Sequence, residues 1–309
     1  MTSFGLRRTR VGMAVFAALF LFVSLCAQGA SGQSQGARIE RTIKQSGLNR
    51  EYIAYLPANP GARSSWPVLM AFHPAFATAT DFERIAGFQN ARGAQNFIVV
   101  YPNGFRRSWN VGKCCGGAQR RGLDDLGFFS AIMADLNTIV PVEPRAYVTG
   151  FSNGAMLAYA LACKRSNSIA AVAPSGATIA LSNQNCNPGR PIPVFHLHGR
   201  EDTFAPFSGG QSEFKRVGKQ PAVTDGIAFM AKENRCTQKS QTTQPSGVTC
   251  TNWRGCPKGG EVTLCVVPGL GHLWAGSRSK TFGNLMGLGP SRTDISATNQ
   301  IVQFFLSHR

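Results

Sequence analysis

The chain has 309 residues, 43% of them hydrophobic, and 32 Lys and Arg against 15 Asp and Glu give it a formal net charge of +17. That length and apolar content suit one large α/β domain, and neither an internal repeat nor a low-complexity linker divides it. The basic balance favours polyanions through counterion release and long-range steering. Its cations are scattered, however, with only short clusters such as Arg106-Arg107 and Arg120-Arg121, and no nucleic-acid fold signature accompanies them, so no specific nucleic-acid partner is expected.

The chain opens with Arg7, Arg8 and Arg10, then an apolar run over residues 11–25, then small and polar residues around Ala27, Gly29 and Ala30. That order predicts a secretory signal peptide over residues 1–30; the run is short beside the roughly 20 apolar residues of a membrane span. The expectation is a secreted protein, extracellular or periplasmic, with residues 31–309 as a single domain and no membrane attachment after cleavage. Loss of the three arginines leaves +14, and loss of Cys26 leaves eight of nine cysteines. An even number in an oxidising compartment makes disulfides the default. They fall into two groups, Cys114, Cys115, Cys163, Cys186 and then Cys236, Cys250, Cys256, Cys265. Pairing is predicted within each group, with Cys114 and Cys115 reaching different partners because a bridge between neighbours is strained. No pair has C-x-x-C spacing, and no metal site is expected.

Residues 38–44 and 50–56 alternate as paired strands about a turn at Gly47, Leu48 and Asn49. Residues 68–72 form a buried-type strand, 81–94 a helix capped at Thr80 or Asp81, and 97–101 a second buried strand ending at Pro102, Asn103 and Gly104. Residues 126–139 are helical, with Asp124 and Asp125 near the start, where carboxylates favour the helix dipole. A strand over 146–149 leads into a helix over 155–162. Strands at 169–172 and 194–197, a helix at 223–233, a last strand at 262–267 and a closing amphipathic helix at 295–306, opening after Thr293 and Asp294, complete the series. Apolar runs too short for helices, alternating with helices, imply an open, mostly parallel sheet covered on both faces. Residues 237–260 are polar and without helical period, and read as a disulfide-tied excursion.

Between the strand at 146–149 and the helix that follows lie Gly150, Phe151, Ser152, Asn153 and Gly154. G-x-S-x-G in strand-turn-helix context is a nucleophile elbow, whose glycines remove side chains that would strike neighbouring backbone. A serine hydroxyl needs a histidine to take its proton, and that histidine needs a carboxylate to fix its tautomer. In the order serine, acid, histidine, His272 is the candidate base, in a glycine-rich loop directly after the last strand. His308 stands near the chain end, and His196 and His198 precede every good candidate acid. Asp202, just beyond the strand 194–197, is the candidate acid, with Glu201 as fallback. The oxyanion needs two N–H groups: Asn153 supplies one, and the loop His73, Pro74, Ala75, Phe76 the other. Pro74 has no N–H, which leaves Ala75, with Phe76 as alternative. His73 is a candidate for orienting this loop, and Trp109 and Trp274 are candidate substrate-wall aromatics.

Several further motifs stand in order: Tyr101-Pro102-Asn103-Gly104; Ser108-Trp109-Asn110 followed by Cys114-Cys115; Leu123 to Phe128 with two aspartates; His198-Gly199 with Asp202 and Pro206; and Gly271-His272 with Trp274 and Gly276. With the elbow, they resemble the secreted esterase family that contains poly(3-hydroxybutyrate) depolymerases of the LpqC type, feruloyl esterases and related carbohydrate esterases, of the α/β-hydrolase fold. The resemblance implies Ser152 as nucleophile, Asp202 as acid and His272 as base, and bridges from Cys114 and Cys115 towards Cys163 and Cys186. It departs from the family where His73-Pro74 replaces a usual His-Gly, Ala155 a second glycine and Ala275 a proline. The implied function is a serine esterase without metal or organic cofactor. Its expected substrates are feruloyl or similar hydroxycinnamoyl esters on plant cell-wall polysaccharide, with poly(3-hydroxybutyrate) or its oligomers, or acetylxylan, as alternatives. A basic secreted binding protein that keeps the fold without turnover is the alternative from another class.

Overall fold

The computed structural model describes residues 36–309 except 113, 115, 180–185, 216 and 278–286. The expected signal peptide and Cys115 lie outside the described residues. The first two strands, β1 (Arg38–Gln45) and β2 (Leu48–Tyr55), pair antiparallel. Their turn is tighter than expected: Ser46 and Gly47, at φ 52° and 74°, make the connection alone, so Leu48 and Asn49 belong to the strand. Next come β3 (Val68–Phe72), α1 (Ala79–Ala86) and β4 (Ile98–Pro102). The helix is shorter than its apolar pattern suggested. Thr78 caps it through a reciprocal bond with Asp81, and Gly87 ends it in the left-handed region.

After α2 (Gly116–Arg120), α3 (Asp125–Asn137) starts at Asp124, whose carboxylate accepts the Gly127 N–H. Then follow β5 (Ala146–Phe151), α4 (Asn153–Lys164), β6 (Ile169–Ser175) and β7 (Val194–Gly199). Two short strands, β8 (Gly210–Gln211) and β9 (Lys219–Gln220), pair with each other. They precede α5 (Val223–Glu233), β10 (Gln238–Thr243), β11 (Thr249–Arg254), β12 (Val262–Val267) and α6 (Ala297–Leu306).

Among the described residues, ten strands form one sheet in the order β1-β2-β4-β3-β5-β6-β7-β12-β11-β10. The six from β4 to β12 run parallel, and antiparallel hairpins finish both edges. Strand periodicity divides the core between two faces. Val68, Met70 and Phe72 pack with α3, α4 and α5 residues such as Phe128, Leu157 and Met230. Leu69 and Ala71 pack with Phe82, Ile301 and Phe305 on the opposite face. This is the doubly covered sheet that the short apolar runs predicted.

The polar segment 237–260 forms β10 and β11, which extend the sheet. Every residue of β10 is exposed, so it carries no apolar alternation for sequence reading to detect. Cys236–Cys256 and Cys250–Cys265 tie this hairpin down, both within the second cysteine group. Cys163 at the end of α4 bonds Cys186, their Cα atoms 4.6 Å apart. That pairing corrects the expected bridges from Cys114 and Cys115 towards Cys163 and Cys186, because each of the latter is the other's partner. Cys114 is itself disulfide-bonded.

Candidate active site

The parallel register places four strand ends together: Phe72 of β3 lies opposite Gly150 of β5, and Gly199 of β7 opposite Val267 of β12. Loops leaving the carboxyl ends of parallel strands converge on one rim of such a sheet. Ser152 sits in the turn from β5 to α4 with φ 53° and ψ −119°, a conformation L residues rarely adopt. Its N–H donates to the Ser175 carbonyl at 3.0 Å. The flanking glycines permit the close approach this turn needs. A Cβ on Gly154 would lie 2.2 Å from the Phe72 carbonyl oxygen, and one on Gly150 would lie 2.5 Å from the Gly154 backbone.

Ser152 Oγ stands 2.9 Å from His272 Nε2, and His272 Nδ1 lies 2.8 Å from Asp202 Oδ2. The carboxylate has no proton to give, so Nδ1 carries the hydrogen and Nε2 is left to accept from the hydroxyl. Asp202 is buried, and its Oδ1 accepts the N–H groups of Phe204 at 2.9 Å and Ala205 at 2.7 Å. Burial alone would raise its pKa, but the nearby His272 and its hydrogen bond outweigh that and hold the carboxyl below its ordinary value. Glu201, the fallback acid, is exposed and instead accepts the Leu270 N–H. The His272 loop is fixed by bonds from the His272 N–H to the Leu288 carbonyl and from the Gly271 N–H to the Pro290 carbonyl. Phe151 and Phe204 contact the imidazole, with ring centroids 4.9 and 5.4 Å from it.

Across from the base, Asn153 heads α4, where the first N–H groups of a helix have no partner within it. In the loop after β3, the Phe76 N–H donates to the Arg107 carbonyl, so it is committed elsewhere. Pro74 has none, and among the described residues the Ala75 N–H has no backbone acceptor, which keeps it the loop's candidate donor. His73 is fully buried, accepts the Gly104 N–H at Nε2 and donates from Nδ1 to the Pro74 carbonyl. These two bonds define its neutral tautomer, and burial pulls its pKa down to about 4.

The two tryptophans read as substrate walls do not reach the site. Trp109 is 0% and Trp274 3% exposed. The Trp274 indole donates to Thr298 and packs edge-on against Phe82, Phe88 and Phe151. The Trp109 indole donates to the His73 carbonyl, so this ring braces the loop from behind. The rim aromatics come from elsewhere. Phe204 stacks on His272, Phe214 stacks on Phe204, and Phe76, 62% exposed, meets Phe214 edge-on. This row runs from the base to the oxyanion loop, and no local motif marks it because its members lie on separate loops. Among the described residues, no group of three or more His, Cys, Asp or Glu is arranged to hold a metal ion.

Comparison with known proteins agrees with this geometry. The phospholipase/carboxylesterase family matches residues 131–220, which include the elbow and Asp202. The chain is 26% identical over 253 residues to "Putative esterase NocK" of Nocardia uniformis subsp. tsuyamanensis, covering 76% of this chain and 74% of that one. It is 27% identical over 221 residues to the probable feruloyl esterase C of Aspergillus clavatus, covering 68% and 71%. The acetyl xylan esterase from Aspergillus awamori superposes with a TM-score of 0.56 at 16% identity, over 81% of this chain and all of that one. The chain thus has the fold of the α/β-hydrolases and is a serine carboxylic-ester hydrolase.

Proposed function

We propose that this chain is a secreted esterase that cleaves hydroxycinnamoyl esters, such as feruloyl groups on plant cell-wall polysaccharide, through an acyl-enzyme on Ser152. The observation that carries the chemistry is the unbroken line of Ser152 Oγ, His272 and Asp202 at 2.9 and 2.8 Å. In acylation, His272 Nε2 takes the hydroxyl proton as Oγ bonds to the ester carbon. The oxyanion forms against the N–H groups of Asn153 and Ala75. Collapse breaks the bond to the alcohol oxygen, to which His272 returns the proton. Water, deprotonated by the same imidazole, then releases the acid and frees Ser152.

The aromatic row Phe204, Phe214 and Phe76 supports a flat, aromatic acyl group. The probable feruloyl esterase among the relatives supports the same class. The expected leader over residues 1–30 and the three disulfides among the described residues favour export. The net charge of +14 left after loss of the leader's three arginines suits an acidic polysaccharide carrier. A fluorophosphonate probe is expected to label the folded protein and to fail on Ser152→Ala. A hydrolysis panel of methyl ferulate, acetylated xylan, short p-nitrophenyl esters and 3-hydroxybutyrate oligomers tests the substrate. Turnover of the oligomers alone would overturn the hydroxycinnamoyl assignment.

A further inference from the structure

Behind Asp202, three buried side chains outside the catalytic line form a chain of their own. The Tyr159 hydroxyl lies 2.7 Å from His196 Nδ1, His196 Nε2 lies 3.0 Å from His198 Nδ1, and His198 Nε2 lies 2.8 Å from the Ala205 carbonyl. All three residues are 1% exposed or less. His196 and His198 alternate onto one face of β7, and their rings stack at 5.3 Å and 15°. Tyr159 reaches them from α4 on that face.

The direction of every bond in this chain is determined. A carbonyl oxygen only accepts, so His198 Nε2 carries a hydrogen. In a neutral imidazole its Nδ1 is then an acceptor, and His196 Nε2 must donate to it. By the same step His196 Nδ1 accepts, and the Tyr159 hydroxyl donates. The carbonyl that receives the last hydrogen belongs to Ala205, whose own N–H holds Asp202 Oδ1. His198 Nε2 also lies 3.6 Å from Asp202 Oδ2, the oxygen bonded to His272.

We propose that Tyr159, His196 and His198 are positioning residues that keep His198 neutral as its Nε2–H tautomer, so that Asp202 serves His272 alone. A protonated His198 would be a cation beside the same carboxylate oxygen and would compete with His272 for it. Each donor in the chain occupies the one nitrogen at which the next ring could take a proton. Acquiring a charge therefore requires breaking a buried hydrogen bond, which is costly where water cannot replace it. Burial adds to this, pulling both imidazoles below their ordinary pKa, His196 furthest. The groups that face His198 are Asp202, which favours its charged form, and His272, Arg200 and His196, which oppose it. Among the described residues, the groups that face His196 are His198 and the Tyr159 hydroxyl.

The inference rests on the role given to Asp202, and its first test is independent of turnover. Nitrogen-15 NMR of the histidine-labelled wild-type protein should show His196 and His198 neutral and protonated at Nε2 from about pH 8 down to about pH 5. An Nδ1–H tautomer or a cationic His198 within that range overturns the proposal even if the enzyme is fully active. The second test is Tyr159→Phe, with His196→Gln to retain an N–H donor facing His198. In Tyr159→Phe the acid limb of the kcat/KM profile should steepen from one proton towards two, with kcat/KM about three- to tenfold lower near pH 5.5 and little changed near pH 8. His196→Gln should keep the single-proton limb. Equal losses at both pH values, or an unchanged limb in a folded Tyr159→Phe protein, would show that the chain only fills space. Failure of the ester panel with the NMR signature intact would sink the esterase reading and leave the tautomer lock standing.

Discussion

Asn153 and Trp109 bond each other in both directions: the Asn153 Oδ1 accepts the Trp109 N–H at 2.7 Å, and its Nδ2 donates to the Trp109 carbonyl at 3.1 Å. The same tryptophan donates its indole N–H to the His73 carbonyl at 2.8 Å. The two sides of the proposed oxyanion hole, the head of α4 and the loop after β3, are thereby joined through one buried residue. Preorganised donors do most of their work by not having to move during reaction, and Trp109, fully buried, is placed to supply that rigidity.

Trp109→Phe tests this brace. The ring stays apolar, but the buried His73 carbonyl loses its donor, at a cost of about 1–3 kcal/mol. The expected outcome is a kcat about tenfold lower with KM nearly unchanged, because the loss falls on transition-state stabilisation. Steady-state kinetics on p-nitrophenyl acetate decides it; a rise in KM at constant kcat would place Trp109 in ground-state binding instead.

Gly154→Ala should fail in a different way. Its Cβ would stand 2.2 Å from the Phe72 carbonyl and 2.7 Å from that of His73, where backbone must shift. A destabilisation of about 3 kcal/mol or more is expected in urea unfolding. Gly112→Ala is the comparison, since its φ of 83° is unfavourable but nothing lies near its Cβ; it should cost about 1–2 kcal/mol. Gly154 lies within α4 and has no positive φ, so a loss there no larger than at Gly112 would mean that a small backbone shift relieves the close approach.

The meeting of Ser152, Asp202 and His272 was legible in the sequence because each stands just past an apolar strand, and chain order leaves few partners. Asp202 and Glu201 could not be separated on spacing with the same force, since neighbouring side chains point apart and only the folded turn shows which one faces His272. Trp109 and Trp274 could not be told from core residues, because an aromatic in a loop motif, even one two residues from the base as Trp274 is, has the same sequence signature whether it walls a pocket or fills the core. Phe76, Phe204 and Phe214 were invisible as a group, being joined only by the packing of separate loops. The strand β10 was hidden because an exposed edge strand need not alternate.

Buried neutral histidine makes the fold acid-sensitive in a definite window. His73 has its pKa lowered from 6.5 to about 4, chiefly by burial. Below 6.5 the unfolded chain takes up a proton that the native state refuses, so this contribution is complete above 6.5 and lost as pH falls towards 4. The loss amounts to roughly 3 kcal/mol. His196 and His198 are shifted in the same direction and add to it. Asp202 also has a depressed pKa, so its share is lost lower, in the carboxylate range. Thermal unfolding should therefore show Tm falling between about pH 6.5 and pH 4.5, before carboxylates titrate. His73→Gln, though less stable at neutral pH, should fall less steeply there; an equal slope would move the sensitivity to other groups.

Selectivity for flat acyl groups should reside in the aromatic row. Phe76 is 62% exposed at a positive φ of 69°, an arrangement that contributes little to folding and leaves a large ring free at the rim. Phe214 links it to Phe204 and so to His272. If the row holds the acyl ring, Phe76→Ala and Phe214→Ala should lower kcat/KM for methyl ferulate about tenfold, the scale expected for removing an aromatic contact and its buried area. Turnover of p-nitrophenyl acetate, whose acyl group carries no ring to pack on the row, should change less than about twofold. The ratio of the two rates is the measurement that matters, since it cancels any fraction of misfolded enzyme. A parallel fall in both would show that the phenylalanines support the base loop and do not select the acyl group.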